Sequence, residues 1–325
     1  MLTNDSVDCK PVIPEEGPVL EFDFPGLRIG VAEYAEGPTG CTVFLFDRLA
    51  RTAVDLRGGS IGSLANKELN HAICLAGGSS YGLQASTGVA AELFAQRGHS
   101  REFEEIAAVS GSIIYDFRAR DNAVIPDVAL GRAAVRAAVA GRFPLGARGA
   151  GCSAVCGRGP EQKGRQHSGQ GGAFRQVGPT RIAAFSVVNS LGGICDRNGQ
   201  VVWGQLNPET GERYGYAEEL ARLRGSGGEA RPIADAGGNT TLTVLVVNQK
   251  LERKSLVQLA RQVHTSMARA IQPFHTILDG DVFYAVTTDE VENPALDEIA
   301  QQLKAYPPEA DRPHPGDDRR LMTGR

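Results

Sequence analysis

Residues 236–247 read AGGNTTLTVLVV. Two glycines lead up to Asn239, and the residues from Leu242 to Val247 are apolar and β-branched, the composition of a strand. The junction is therefore a Gly-rich connection that runs into a strand at Asn239-Thr240. A Ser, Thr or Cys that follows a strained peptide bond can attack the preceding carbonyl. If the Asn239–Thr240 bond broke, Thr240 would become a new N-terminus. Its hydroxyl would be the nucleophile and its own α-amine the base. A free α-amine titrates near ~7.7–8.0, close enough to neutrality to need little tuning. The same residues also fit a plain turn, with Asn239 in the left-handed region before a strand.

Working outward, short apolar runs alternate with Gly-rich turns from Phe22 onward. Strands are predicted over 27–32, 41–46, 52–56, 72–76, 182–188, 241–247 and 282–288. Helices are predicted over 83–96, 129–140 and 252–271. The last carries Leu256, Leu259, Val263, Met267 and Ile271 at three- and four-residue spacing. Strands and helices are both present without strict βαβ alternation, so the pattern predicts sheets covered by helices in a layered α/β or α+β fold. Residues 1–20 read as a loose arm, 158–172 as a long polar loop, 207–238 as a linker, and 307–325, with four prolines, as a disordered tail.

Composition narrows the function classes. Of 325 residues, 34 are basic and 38 acidic, so the formal charge is −4. That balance leaves no electrostatic footprint for nucleic acid or an anionic membrane. No run approaches the ~18 apolar residues of a membrane span, and the start lacks a signal peptide. Cysteines at 9, 41, 74, 152, 156 and 195 are too sparse for a disulfide scaffold and point to a reducing cytoplasm. Cys152 and Cys156 have no second Cys or His pair at zinc spacing, so no metal is expected.

Three other constellations merit weighing. Gly78-Ser79-Ser80-Tyr81-Gly82 fits GxSxG between a predicted strand and a predicted helix. This is the context of a nucleophile elbow, with Ser80 as nucleophile and His264 or His275 as base. The alternative is a turn that packs the helix closely on the strand. Asp279-Gly280-Asp281 precedes the last strand, and its two carboxylates could orient an ammonium or share a proton. It is not a calcium loop, because the sixth position from Asp279 is not Gly. Tyr115 and Asn189 are single polar groups beside apolar runs, each able to donate to an oxyanion.

Taken together, the chain resembles the DmpA-type, or P1, peptidase family of self-cleaving N-terminal-nucleophile hydrolases. The resemblance is carried by residues 22–43, 70–85, 109–134 (VSGSIIYDFRARDNAVIPDVALGRAA), 236–241 (AGGNTT) and 261–291 (RQVHTSMARAIQPFHTILDGDVFYAVTTDEV). It implies one catalytic domain over 1–325, built as an αββα four-layer sandwich, and autocleavage between Asn239 and Thr240. The products would be an α chain, 1–239, and a β chain, 240–325. Such αβ heterodimers commonly associate further as a tetramer of heterodimers.

Residue by residue, the resemblance implies Thr240 as nucleophile, Asn189 as an oxyanion or positioning group and Tyr115 as a hydrogen bonder to substrate. Asp279 and Asp281 would hold the Thr240 amine and hydroxyl. It demotes Ser80 to a turn residue. No metal or organic cofactor is implied. The substrate class is linear amides such as 6-aminohexanoate oligomers, cleaved through an acyl-enzyme. The alternatives are an aminopeptidase acting on short or β-amino peptides, and an uncleaved, non-catalytic paralogue acting as a binding or assembly protein.

The chain departs from the family's pattern in three places. The family usually has Lys where this chain has Arg158, after GAGCSAVCG; Lys163 is the other basic residue that could take the place. Arg keeps the charge but cannot act as a base. The segment after about 292 finds no match, and several cysteines stand where relatives carry small or apolar residues.

Overall fold

A computed structural model describes residues 1–64, 66–159, 164–225 and 238–292. The main strands are β1 (Leu27–Tyr34), β2 (Thr39–Arg57), β3 (Leu69–Ala76), β4 (Val109–Ile113), β5 (Gly169–Val177), β6 (Thr180–Asn189), β7 (Thr240–Gln249) and β8 (Asp281–Val291). The helices are α1 (Gln84–Gln96), α2 (Val128–Arg136), α3 (Tyr216–Gly225) and α4 (Arg253–Ser266). The tail over 307–325 and Lys163 lie outside the described residues.

The runs 41–46 and 52–56, read as two strands, belong to one strand of 19 residues. Its N-terminal half pairs with β1 and β3, and its C-terminal half pairs with β8. A register shift between Leu45 and Ala50 separates the halves. Such an irregularity bends a strand and raises its twist. In this way one hydrogen-bonded sheet folds into two facing layers. One contains β1, β2, β3 and β4. The other runs β5-β6-β7-β8 and ends on the second half of β2.

The alternation of side chains then builds three apolar seams. Between the layers lie Phe44, Ile73 and Leu75 from one side and Phe185, Val244 and Tyr284 from the other. The residues next to them in sequence point outward. Val43, Leu45 and Cys74 meet Val89, Leu93 and Leu130 of α1 and α2. Leu245, Phe283 and Ala285 meet Leu256, Leu259 and Ala260 of α4. The layers therefore run helix–sheet–sheet–helix, the αββα sandwich that the resemblance implied.

Two boundaries differ from the periodicity reading. Helix α2 stops at Arg136 rather than 140, because Val139–Ala140 pair with β1 instead. Helix α4 tightens to a 3₁₀ turn over Met267–Arg269, and Ile271 starts a short strand. The N-terminal segment is not a loose arm. Asn4 accepts from the Ile125 backbone N–H (2.8 Å) and donates to its carbonyl (3.0 Å). Val12 exchanges backbone hydrogen bonds with Glu33. These polar contacts carry no apolar period, so sequence patterning does not signal them. In the segment read as a linker, residues 216–225 form α3, and 226–237 lie outside the described residues. Among the described residues no helix is long and apolar enough to cross a membrane.

Phe185 sits at the centre of the middle seam, with ring centroids of Phe143, Phe44 and Phe22 at 4.8, 5.3 and 5.4 Å. Phe185→Ala should leave a cavity between the layers and cost about 3–5 kcal/mol, read as a lowered urea midpoint at unchanged m-value. A loss under about 1 kcal/mol would mean that the layers close without this ring.

Candidate active site

Strand direction decides which residues meet. Strand β6 runs antiparallel to β7, so the end of β6 lies beside the start of β7. Strand β7 runs parallel to β8, so both start at the same edge. Asn189, the last residue of β6, is therefore paired directly with Thr240, the first of β7. The turn Asp279-Gly280 lies next to Asn239, in a parallel bridge. Three segments far apart in sequence converge on one peptide bond. Asn239, Thr240, Asn189, Asp279 and Asp281 are all buried.

The Asn239 carbonyl oxygen accepts two hydrogen bonds. One comes from the Gly280 backbone N–H (2.8 Å), the other from Thr240 Oγ1 (2.6 Å). Gly280 must be glycine for this approach. A Cβ there would collide with the Ser60 carbonyl oxygen and come within 3.0 Å of Thr240 Oγ1. Asn189 Nδ2 donates to the Gly238 carbonyl (3.1 Å) and the Tyr115 carbonyl (3.0 Å), and its Oδ1 accepts from the Val155 N–H (3.1 Å). All the functional atoms of the Asn189 side chain are thus engaged, and the amide is held rigidly. Tyr115 contributes its backbone carbonyl and its ring face. The ring lies flush on Gly238, where an added Cβ would stand 2.6 Å away.

The carboxylates act on neighbouring backbone in the continuous chain. Asp281 Oδ1 accepts from the Thr241 N–H (2.7 Å), and its Oδ2 meets His275 Nδ1 at 2.9 Å. Asp279 Oδ2 accepts from the Thr276 N–H (2.7 Å). Burial, and then the Asp281 carboxylate, push the Asp279 carboxyl up from 3.8 to about 6. Arg158 is 2% exposed. Burial, and then the like charges of Arg118 and Arg165, pull it down to about 10.

Ser80 stands apart from this cluster. It is exposed on the 3₁₀ turn Ser79–Leu83. Of its two prospective bases, His264 bonds Asp55 at 2.9 Å and His275 bonds Asp281. The glycines of that motif serve packing, since a Cβ at Gly82 would strike the Gly77 carbonyl. Asp116 anchors the same turn. It accepts from Gly78 N–H (2.9 Å), Thr39 Oγ1 (2.7 Å) and Arg120 Nη2 (2.9 Å), tying the turn to the loop that carries Tyr115.

Sequence reasoning missed two groups. The Gly280 N–H is a backbone donor and has no residue-type signature; its only trace is a Gly between two Asp. His275 entered only as a partner for Ser80. Its ring packs edge-on to His264, with centroids 4.4 Å apart. Burial drives His264 down to about 4 and keeps it neutral. Its contact with the Asp55 carboxylate then requires the Nδ1–H tautomer.

The model of peptidase family S58 matches residues 22–310. A 6-aminohexanoate-oligomer endohydrolase of Paenarthrobacter ureafaciens is 48% identical over 295 residues, covering 90% of this chain and 81% of that protein. Two solved structures share the fold at low identity. A Burkholderia sp. beta-aminopeptidase gives a TM-score of 0.59 at 16% identity, over 94% of this chain and 81% of that one. The L-aminopeptidase D-Ala-esterase/amidase of Ochrobactrum anthropi, described as a variant of the Ntn hydrolase fold, gives 0.56 at 15%, over 85% and 76%.

The raised Asp279 carboxyl has a consequence for stability. A carboxyl whose folded pKa is raised favours the fold while protonated. That contribution is complete below about 3.8 and is lost as pH rises through about 6. Asp279→Asn keeps an acceptor for Thr276 and removes the buried charge. It should raise the Tm at pH 8, by an amount on the order of 2–3 kcal/mol of stability, and by roughly half as much at pH 5. Equal shifts at both pH values would show that Asp279 does not titrate in this range.

Proposed function

We propose that this chain, which belongs to peptidase family S58, matures by cutting itself between Asn239 and Thr240 and then hydrolyses linear amides with Thr240 as nucleophile. That it is a hydrolase acting on amides follows from the family and from the relative at 48% identity. The observation that carries the self-cleavage is the Asn239 carbonyl. The Thr240 hydroxyl touches its oxygen, and the Gly280 N–H polarises it.

In maturation, Thr240 Oγ attacks the Asn239 carbonyl carbon. The negative charge gathers on the oxygen that Gly280 N–H already holds, so the donor needs little rearrangement. The C–N bond breaks as the proton passes from the hydroxyl to the nitrogen, leaving an ester. Water hydrolyses the ester to an Asn239 carboxylate and a free Thr240 α-amine. In turnover, that amine takes the hydroxyl proton as Oγ attacks the substrate amide, and it returns the proton to the leaving amine. Water then cleaves the acyl-enzyme by the same route. Departure of Gly238 and Asn239 releases one Asn189 N–H, which turns to the substrate. Asp281 and Asp279 orient the new terminus, and the nearby Arg158 charge keeps more of the amine as free base.

The substrate class proposed is oligomeric linear amides of the 6-aminohexanoate type, in line with the name of the 48% identical relative. The mature αβ units associate with one another, as a tetramer of heterodimers. All six cysteines are free thiols, which suits a reducing cytoplasm.

Thr240→Ala should give one uncut chain without amidase activity, whereas Ser80→Ala should process and turn over normally. A cut, active Thr240→Ala protein would refute the assignment. Gly280→Ala should fold but process at least about tenfold more slowly, on the scale of losing one oxyanion donor. Unchanged processing in a time course on a denaturing gel would remove the Gly280 N–H from the mechanism.

A further inference from the structure

Arg158 presents an unsolved problem of charge. Its side chain is 2% exposed, yet Nε and Nη1 have no hydrogen-bond partner. Arg118 Nη1 is buried and unpartnered as well. A guanidinium carries five donors and stays charged, so burying it unpaired is costly. The positive charge around it deepens the problem. Arg165 Nη1 donates to the Arg118 carbonyl (3.2 Å), and both guanidiniums lie near enough to depress the proton affinity of Arg158. Asp279, the carboxylate acting on Arg158, makes no hydrogen bond to these unpartnered atoms. Such a cluster has the donors and the charge for an anion that the free protein does not supply.

The cluster adjoins the scissile position. The Arg118 guanidinium stands 5.7 Å from the centroid of the Tyr115 ring. That ring also lies against Gly238, two residues before Thr240. We propose that Arg158, with Arg118 and Arg165, forms a subsite for a carboxylate carried by the amide substrate, both oxygens of which accept hydrogen bonds from Arg158. This rests on Thr240 being the nucleophile. Planar guanidinium donors match a carboxylate in two parallel hydrogen bonds, which a lysine cannot reproduce. The same charges repel a free ammonium, so the subsite selects acid-bearing amides against amine-terminated ones.

The test uses matched substrates. 6-Acetamidohexanoate and 6-acetamidohexanol differ only in a terminal carboxylate or alcohol in the amine half. Adipic monoanilide and 6-hydroxyhexanoic anilide do the same in the acyl half. The kcat/KM ratio of acid to alcohol should exceed about tenfold in one of the two pairs, the scale of a hydrogen bond to a charged group. It should fall towards one in Arg158→Gln, partly survive in Arg158→Lys, and fall less far in Arg118→Gln. A role for Arg158 only in tuning the Thr240 amine would slow both members of a pair alike and leave the ratio unchanged. Calorimetry with hexanoate on wild type and Arg158→Gln reads the subsite without turnover. Binding lost in the variant supports the subsite even if no amide is cleaved, in which case the nucleophile assignment alone fails. Ratios near one in both pairs, with no hexanoate binding, would overturn the inference.

Discussion

The parallel pairing of Thr240–Gln249 with Asp281–Val291 governs the arrangement around the candidate site. Parallel strands start at the same edge, so the turn Asp279-Gly280 must lie beside Asn239. That placement aims the Gly280 N–H at the Asn239 carbonyl oxygen, a contact open only to a residue without a Cβ. The antiparallel neighbour Thr180–Asn189 adds Asn189 from the opposite direction. Both pairings are held by the seam between the layers, where Phe185, Val244 and Tyr284 interdigitate with Phe44 and Leu75. The apolar core therefore fixes the position of groups that are themselves polar and buried.

Burial sets the electrostatics of the same edge. Asp279 is raised because water is excluded and Asp281 is close. Asp281 is satisfied by the Thr241 N–H and His275. Arg158 has no such satisfaction: its Nε and Nη1 are buried without a hydrogen-bond partner. One edge thus combines a polarised carbonyl, an acidic pair and a basic group, each positioned by a different strand end or loop. This division suits a site that first acts on its own chain and then on a separate amide.

Much of the fold was legible in the sequence because alternating apolar residues have a fixed period. The cores of β1, β3, β6, β7 and β8 could be read from Val, Ile, Phe and Thr runs, and α4 from Leu256 and Leu259. The continuity of β2 was not legible. Residues Asp47-Arg48-Leu49 interrupt the apolar run, and only the register shift between Leu45 and Ala50 shows that one strand serves two layers. The anchored N-terminus depends on Asn4 and on backbone pairing at Val12, which leave no periodic trace. In the site, Asn239, Thr240 and the Asp-Gly-Asp turn stood out as motifs. The Gly280 N–H did not, because every residue type except Pro carries one. The Ser80 motif shows the converse: its spacing suggested chemistry, while its glycines serve a tight turn in which Gly82 lies against the Gly77 carbonyl.

Intact-mass analysis of the purified wild-type chain under denaturing conditions tests the central claim most directly. Cleavage before Thr240 divides 325 residues into chains of 239 and 86, about 25 and 9 kDa when the 34.5 kDa total is divided by length. The predicted result is both masses, with the smaller chain beginning Thr-Thr-Leu-Thr. A single species of 34.5 kDa that stays whole on prolonged incubation would contradict it.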